Sequence, residues 1–184
     1  MTMRELRDLL ISQEQRDVRL APRSVVIAIT DLSPQNAKNV TETLQKNGIK
    51  ATVFIQTRYV GLSGITEKMI LTMMGNGLDV QSGTHMGDDL RGLTNAQVEL
   101  ELNQSRKMIE DITAKAVFAV TYPEGGVNER VIQYAAQGGY LVGIASEDSI
   151  HASPSFTRAD LLGIPAFLAT STSTADDVLN FVRK

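Results

Sequence analysis

The chain has 184 residues, 42% of them apolar and 21% charged, with a net charge of −3 at pH 7. That suits one domain with a sizeable core and argues against a nucleic-acid phosphate footprint. The absence of cysteine excludes disulfides and thiolate metal sites.

The N-terminal stretch "MTMRELRDLLISQEQR" places Met3, Leu6, Leu10 and Ile11 at helical spacing. Charges interrupt its apolar positions, so it does not read as a signal peptide. No apolar run approaches the roughly 20 residues of a membrane helix. Residues 1–23 are read as a helix and lead-in, and residues 24–184 as the domain. "SVVIAIT" (24–30) is a β-branched run, apolar on both faces, as in a strand buried in a parallel sheet or barrel. In "SPQNAKNVTETLQKNG", Ser33 is the predicted N-cap, Pro34 fits the first turn and Gly48 closes the helix. "KATVFIQ" (50–56) is the second predicted strand.

The alternation continues with a helix over 65–74, stopped by "GNG", and a short strand "LDVQS". "LTNAQVELELNQSRKMIEDIT" carries the strongest helical signal. Thr94 and Gln97 form a capping box, and Val98, Leu102, Ile109 and Ile112 share a face. "AVFAVT" is a strand, "NERVIQYAAQGG" a glycine-closed helix and "LVGIAS" a strand. A loop with Pro154 leads to "LLGIPAF", and a last helix starts near Thr174. Strand–helix alternation implies an α/β fold with mainly parallel strands. Functional residues then belong in the loops after the strands, near Asp31, Thr57, Gly83, Thr121 and Ser146.

The segment "VQSGTHMGDDLRGLT" raises the question of a metal site, since His85, Asp88 and Asp89 are ligand types. Its plainer reading is a solvated histidine beside aspartates that accept backbone N–H bonds at a turn.

The succession "VVIAITDLSPQNAKNV", "GIKATVFI", "GNGLDVQSGTHMGDDLRGLT" and "FAVTYPEGGVNERVIQYAAQGGY" resembles the polysaccharide deacetylase (NodB-homology) family. It is most similar to the branch that deacetylates poly-N-acetylglucosamine. The resemblance runs from about Val25 to about Ile144. It implies a distorted, incomplete (β/α) barrel and removal of acetyl groups from N-acetylated sugars with a divalent metal such as zinc. The family is often secreted or found in the cell envelope; the sequence itself assigns no compartment. In the family's chemistry a metal held by one carboxylate and two imidazoles polarises the amide and activates water. A second carboxylate acts as base.

The resemblance also shows departures. Asp31 matches the metal-binding aspartate, but Thr30 stands where the base is expected. Gly83 and Gly87 stand where the two metal histidines are expected. Thr121 replaces an arginine that the poly-N-acetylglucosamine branch often lacks. Pro123 and Gly125 keep the form of that loop, and Glu124 replaces an aromatic residue.

Two expectations follow. One is a catalytically degenerate domain that binds an N-acetylated glycan or a protein partner, with no resident cofactor. The other is an active deacetylase with a shifted metal site of Asp31, His85, Asp88 or Asp89. Catalytic candidates are Asp31 and Glu124. Tyr122 and Pro123 are the candidate substrate contacts. Tyr122 either stacks on a sugar ring or packs under its loop. His151 either reaches the site from the last loop or is solvated.

Overall fold

The structure is a computed structural model that describes residues 1–16, 24–62, 65–146, 160–170, 172–174, 176–177 and 179–180. Six parallel strands form one sheet whose spatial order follows chain order: β1 (Ala28–Ile29), β2 (Thr52–Ile55), β3 (Asp79–Ser82), β4 (Ala119–Thr121), β5 (Val142–Ser146) and β6 (Ile164–Ala166). The strands curl into an open half-barrel with β1 and β6 as its free edges. The incomplete (β/α) barrel expected from the sequence is therefore the observed fold.

Helices α2 (Ala37–Lys46), α3 (Glu67–Gly75), α4 (Asn95–Thr113) and α5 (Glu129–Gln137) connect successive strands. Strand side chains alternate between the two faces. Val53, Ile55, Val80 and Val120 pack against Leu44, Ile70, Met73, Leu102, Ile109 and Val131 from these helices. The intervening residues Phe54, Ala119, Val142 and Ile144, with Phe118, build a second cluster on the other face.

Helix α1 (Met3–Arg16) covers that second cluster with Met3 and Leu6. Its N-terminus is anchored by polar contacts. Met3 N donates to Thr52 Oγ1 at 2.7 Å, and Arg4 pairs through Nε with buried Asp79 at 3.0 Å. Arg4 and Arg7 also lie over the Phe118 ring at 5.1 and 4.3 Å from its centroid. The helix read as a lead-in thus packs directly on the sheet.

Several boundaries differ from the sequence reading. The first strand is short: its register pairs with β2 are Ala28 and Ile29, and Ile27 O also accepts from Thr52 N. Helix α2 begins after Asn36 rather than Ser33, and the Asn36 side chain makes no cap bond to the helix and instead accepts from Ser33 N: residues 34–36 form a turn in which Ser33 O accepts from Asn36 N and Ala37 N. The capping box of Thr94 and Gln97 forms as expected. "LLGIPAF" contains strand β6, and Pro165 fits there because an edge strand needs hydrogen bonds on one side only. The Pro154 loop, His151 and most of the last helix lie outside the described residues.

The β3–β4 seam is unusual. Its only backbone register pair is Ser82 with Val120. Below it, the buried Gln81 carboxamide oxygen accepts from Phe118 N at 3.0 Å and Ala119 N at 2.9 Å. No described helix is long and apolar enough to cross a membrane.

Candidate functional site

Because all six strands are parallel, the segments after their C-terminal ends open on one end of the sheet. Thr30 and Asp31, Gln56–Tyr59, Gly83–Asp89 and Tyr122–Gly126 all belong to that end.

The loop after β3 is fixed from several directions. Thr84 lies in the left-handed region at φ 68° and is fully buried. Its hydroxyl has no protein partner. Thr57 N donates to Thr84 O at 3.1 Å and Arg58 N to His85 O at 3.0 Å, so the β2 loop continues the strand pairing outward. The Thr57 hydroxyl lies 2.8 Å from His85 Nδ1. Behind the loop, Glu101 of α4 is 3% exposed, and its Oε2 accepts from His85 N at 2.9 Å and Met86 N at 2.8 Å. A carboxylate that accepts two backbone N–H groups behaves like an anion in a nest of amides.

Asp89 is bound to its own turn. It accepts from Arg91 N at 3.0 Å and pairs with the guanidinium at 2.7 Å. The Arg91 side chain holds the Asp89 carboxyl below its ordinary value, and the backbone N–H of Arg91 adds to this. Arg130 of α5 donates to Leu90 O and Arg91 O at 3.1 Å, tying this turn to the helix that follows the fourth loop.

That fourth loop is compact. Glu124 is exposed and left-handed at φ 55°. A Cβ at Gly125 would come within 2.5 Å of Ser146 Cβ, and one at Gly126 within 2.5 Å of the Arg91 guanidinium. Tyr122 is 3% exposed, and its hydroxyl donates to Leu162 O at 2.7 Å. Burial pushes that phenol well above its ordinary pKa. Of its two expected placements, Tyr122 takes the one under the loop, where its ring offers no face to a sugar. Pro123 is half-buried beside it.

The four candidate metal ligands are not assembled. Among the described residues, no group of three or more His, Asp or Glu side chains is placed to hold a metal ion. His85 directs Nδ1 to Thr57, Asp89 is paired with Arg91, and Asp31 and Asp88 are exposed. The shifted Asp–His set expected under the active reading is therefore not formed. Gly83 and Gly87 contribute no donors either, so the divalent ion implied by the resemblance does not fit this donor set.

Sequence reasoning missed Gln56 and Glu101, and placed Thr57 only as the start of a loop. Thr57 sits in a segment expected to carry function, but its partner His85 is 28 residues away. Glu101 looks like an ordinary solvated helix residue in "VELELN".

Comparisons with known proteins agree with this architecture. The polysaccharide deacetylase family profile matches residues 17–143. The chain belongs to the polysaccharide deacetylase family. The protein YxkH of Bacillus subtilis (strain 168) is 27% identical to this family member over 140 residues, which is 76% of this chain and 49% of YxkH. The chain thus spans about half the length of that curated relative. Among solved structures, the polysaccharide deacetylase BC0361 from Bacillus cereus superposes with a TM-score of 0.70 at 22% identity. That match covers 98% of this deacetylase-family chain and 59% of BC0361. BA3943 from Bacillus anthracis, described as a CE4 family pseudoenzyme, gives a TM-score of 0.57 at 20% identity, covering 65% of this chain and 43% of BA3943.

Proposed function

We propose that this deacetylase-family domain is a catalytically degenerate pseudoenzyme that binds an N-acetylated glycan or a protein partner through its loop end. The reading extends to the poly-N-acetylglucosamine branch, on the strength of the sequence resemblance there. The observation that carries it is the donor set at the strand ends. Thr30 offers a hydroxyl that is no base near neutral pH, and Gly83 and Gly87 offer no side chain. The carboxylate of Asp89 is engaged by Arg91. Without a ligand set, Lewis-acid polarisation and activation of bound water are lost together. Loss of the base removes a further factor of about 10²–10⁴. The Bacillus anthracis pseudoenzyme supports the reading as a precedent within the same fold.

The test is acetate release from chito-oligosaccharides with added zinc, run beside an intact relative, together with calorimetric binding of the same oligosaccharides. Binding without acetate release supports a glycan-binding pseudoenzyme. Neither binding nor release supports the protein-partner form. Robust zinc-dependent release that is abolished by His85→Ala overturns the reading in favour of an active, shifted site.

A further inference from the structure

Resting on the reading of the site as degenerate, we infer that Gln56 is a fourth determinant of the lost metal site, beside Thr30, Gly83 and Gly87. Its carboxamide fills the space into which a side chain at 87 would project, while a side chain at 83 would meet the backbone of Ile55 and Gln56. A Cβ at Gly87 would lie 2.6 Å from Gln56 Cδ and Nε2 and 2.7 Å from Oε1. A Cβ at Gly83 would lie 3.1 Å from the Ile55 carbonyl carbon and 3.2 Å from Gln56 N. Both positions therefore face the end of β2, and the place of an imidazole at 87 is occupied by an amide.

The surrounding backbone is held on every side. His85 N and Met86 N are bound by Glu101, and Arg91 N is bound by Asp89 just beyond Gly87. Gln56 O accepts from Tyr59 N at 3.1 Å. Gly87 itself is left-handed at φ 79°. Histidine tolerates that region better than most residues do, so the carboxamide is a stronger obstacle than the dihedral. A carboxamide is also a poor substitute for imidazole as a ligand to zinc. The Gln56 side chain is the one movable part of the obstruction, and its removal is the change that reopens the space at 87.

The experiment compares zinc binding by calorimetry near neutral pH in four proteins. They are the parent, Gln56→Ala, the variant Thr30→Asp/Gly83→His/Gly87→His, and that triple variant with Gln56→Ala added. Amide NMR spectra check that each is folded. The triple variant is expected to bind zinc little better than the parent, and the added Gln56→Ala to tighten binding by at least about tenfold. Equal affinity of the three- and four-substitution proteins, whether tight or absent, overturns the inference.

Should the histidine variants not fold, thermal melts of Gly87→Ala, Gln56→Ala and the double variant decide. Gly87→Ala is expected to lower Tm by about 2–6 °C, and Gln56→Ala to recover a clear part of that loss. Strict additivity overturns the inference. Failure of the pseudoenzyme reading is seen separately, as tight zinc binding or acetate release by the parent.

Discussion

Glu101 and His85 are joined through the backbone: a buried carboxylate from the middle of α4 accepts the His85 amide proton at 2.9 Å and shares the same oxygen with Met86 N at 2.8 Å. The loop that would carry a family member's histidines is thereby pinned to a helix. Replacing Glu101 with Ala leaves two amides without their acceptor and a void behind the loop. We expect a loss of about 2–4 kcal/mol in urea unfolding, with Glu101→Gln losing less because its oxygen still accepts. A loss in Glu101→Ala below about 0.5 kcal/mol, the range of ordinary surface changes, would show that the clamp is dispensable.

Asp79 provides a similar anchor on the other face of the sheet. Its side chain is 5% exposed and takes both Arg4 N and Arg4 Nε. Asp79→Ala leaves the α1 N-terminus and Gln81 without this partner, at an expected cost of about 2–4 kcal/mol. The loss of α1 from the second core cluster should also increase binding of an apolar dye. A variant with unchanged Tm and no dye binding would contradict the anchoring role.

The Asp89–Arg91 pair sets a pH dependence whose sign is fixed by the lowered Asp89 pKa. Unfolded aspartate titrates near pH ~3.9, and the folded value lies below its ordinary value. The stabilisation is therefore full above about pH 4 and is lost as pH falls through the lowered folded value. The pair is largely solvent-screened, so its contribution is small. Asp89→Asn should be less stable than the parent at pH 7, and the two curves should converge as pH falls through the lowered folded value. A gap that widens with acidification would refute this assignment.

Tyr122 and Gly143 test whether the fourth loop is built for packing. Tyr122→Phe deletes the bond to Leu162 O and should cost about 1–2 kcal/mol, with glycan affinity unchanged. Gly143→Ala would push a methyl against Leu162 O and to 2.5 Å from the Tyr122 hydroxyl. Overpacking there should cost about 1–3 kcal/mol. A Tyr122→Phe protein of full stability and weakened glycan binding would return the tyrosine to a substrate role.

The strand–helix order was legible because periodicity and turn residues are local signals. Thr94 with Gln97 announced α4 before any tertiary contact was known. Strand β6 was hidden by Pro165, whose meaning depends on being at an edge that only the assembled sheet defines. The candidate site was legible as a set of loops and not as a set of contacts. Asp31, His85, Asp88 and Asp89 are donor types in the right region, but His85 is held by Thr57 after the left-handed residue at 84, and Asp89 is drawn to Arg91. The importance of Glu101 and Gln56 comes from what faces them across the fold, which spacing along the chain does not encode.

Gln81 has a dynamic consequence. Its carboxamide takes the place of a neighbouring strand's carbonyl for Phe118 and Ala119, beside a seam with one backbone register pair. The half-barrel therefore has a stitch made of a side chain between its first three strands and its last three. A rotamer change at this one residue would release two central amides without any strand parting, so hydrogen exchange at Phe118 and Ala119 is expected to follow glutamine motion. Exchange at Val142 N, whose acceptor is Phe118 O, follows opening of the sheet itself. Faster exchange at Phe118 and Ala119 than at Val142 would show the middle of the sheet opening while both flanks remain closed.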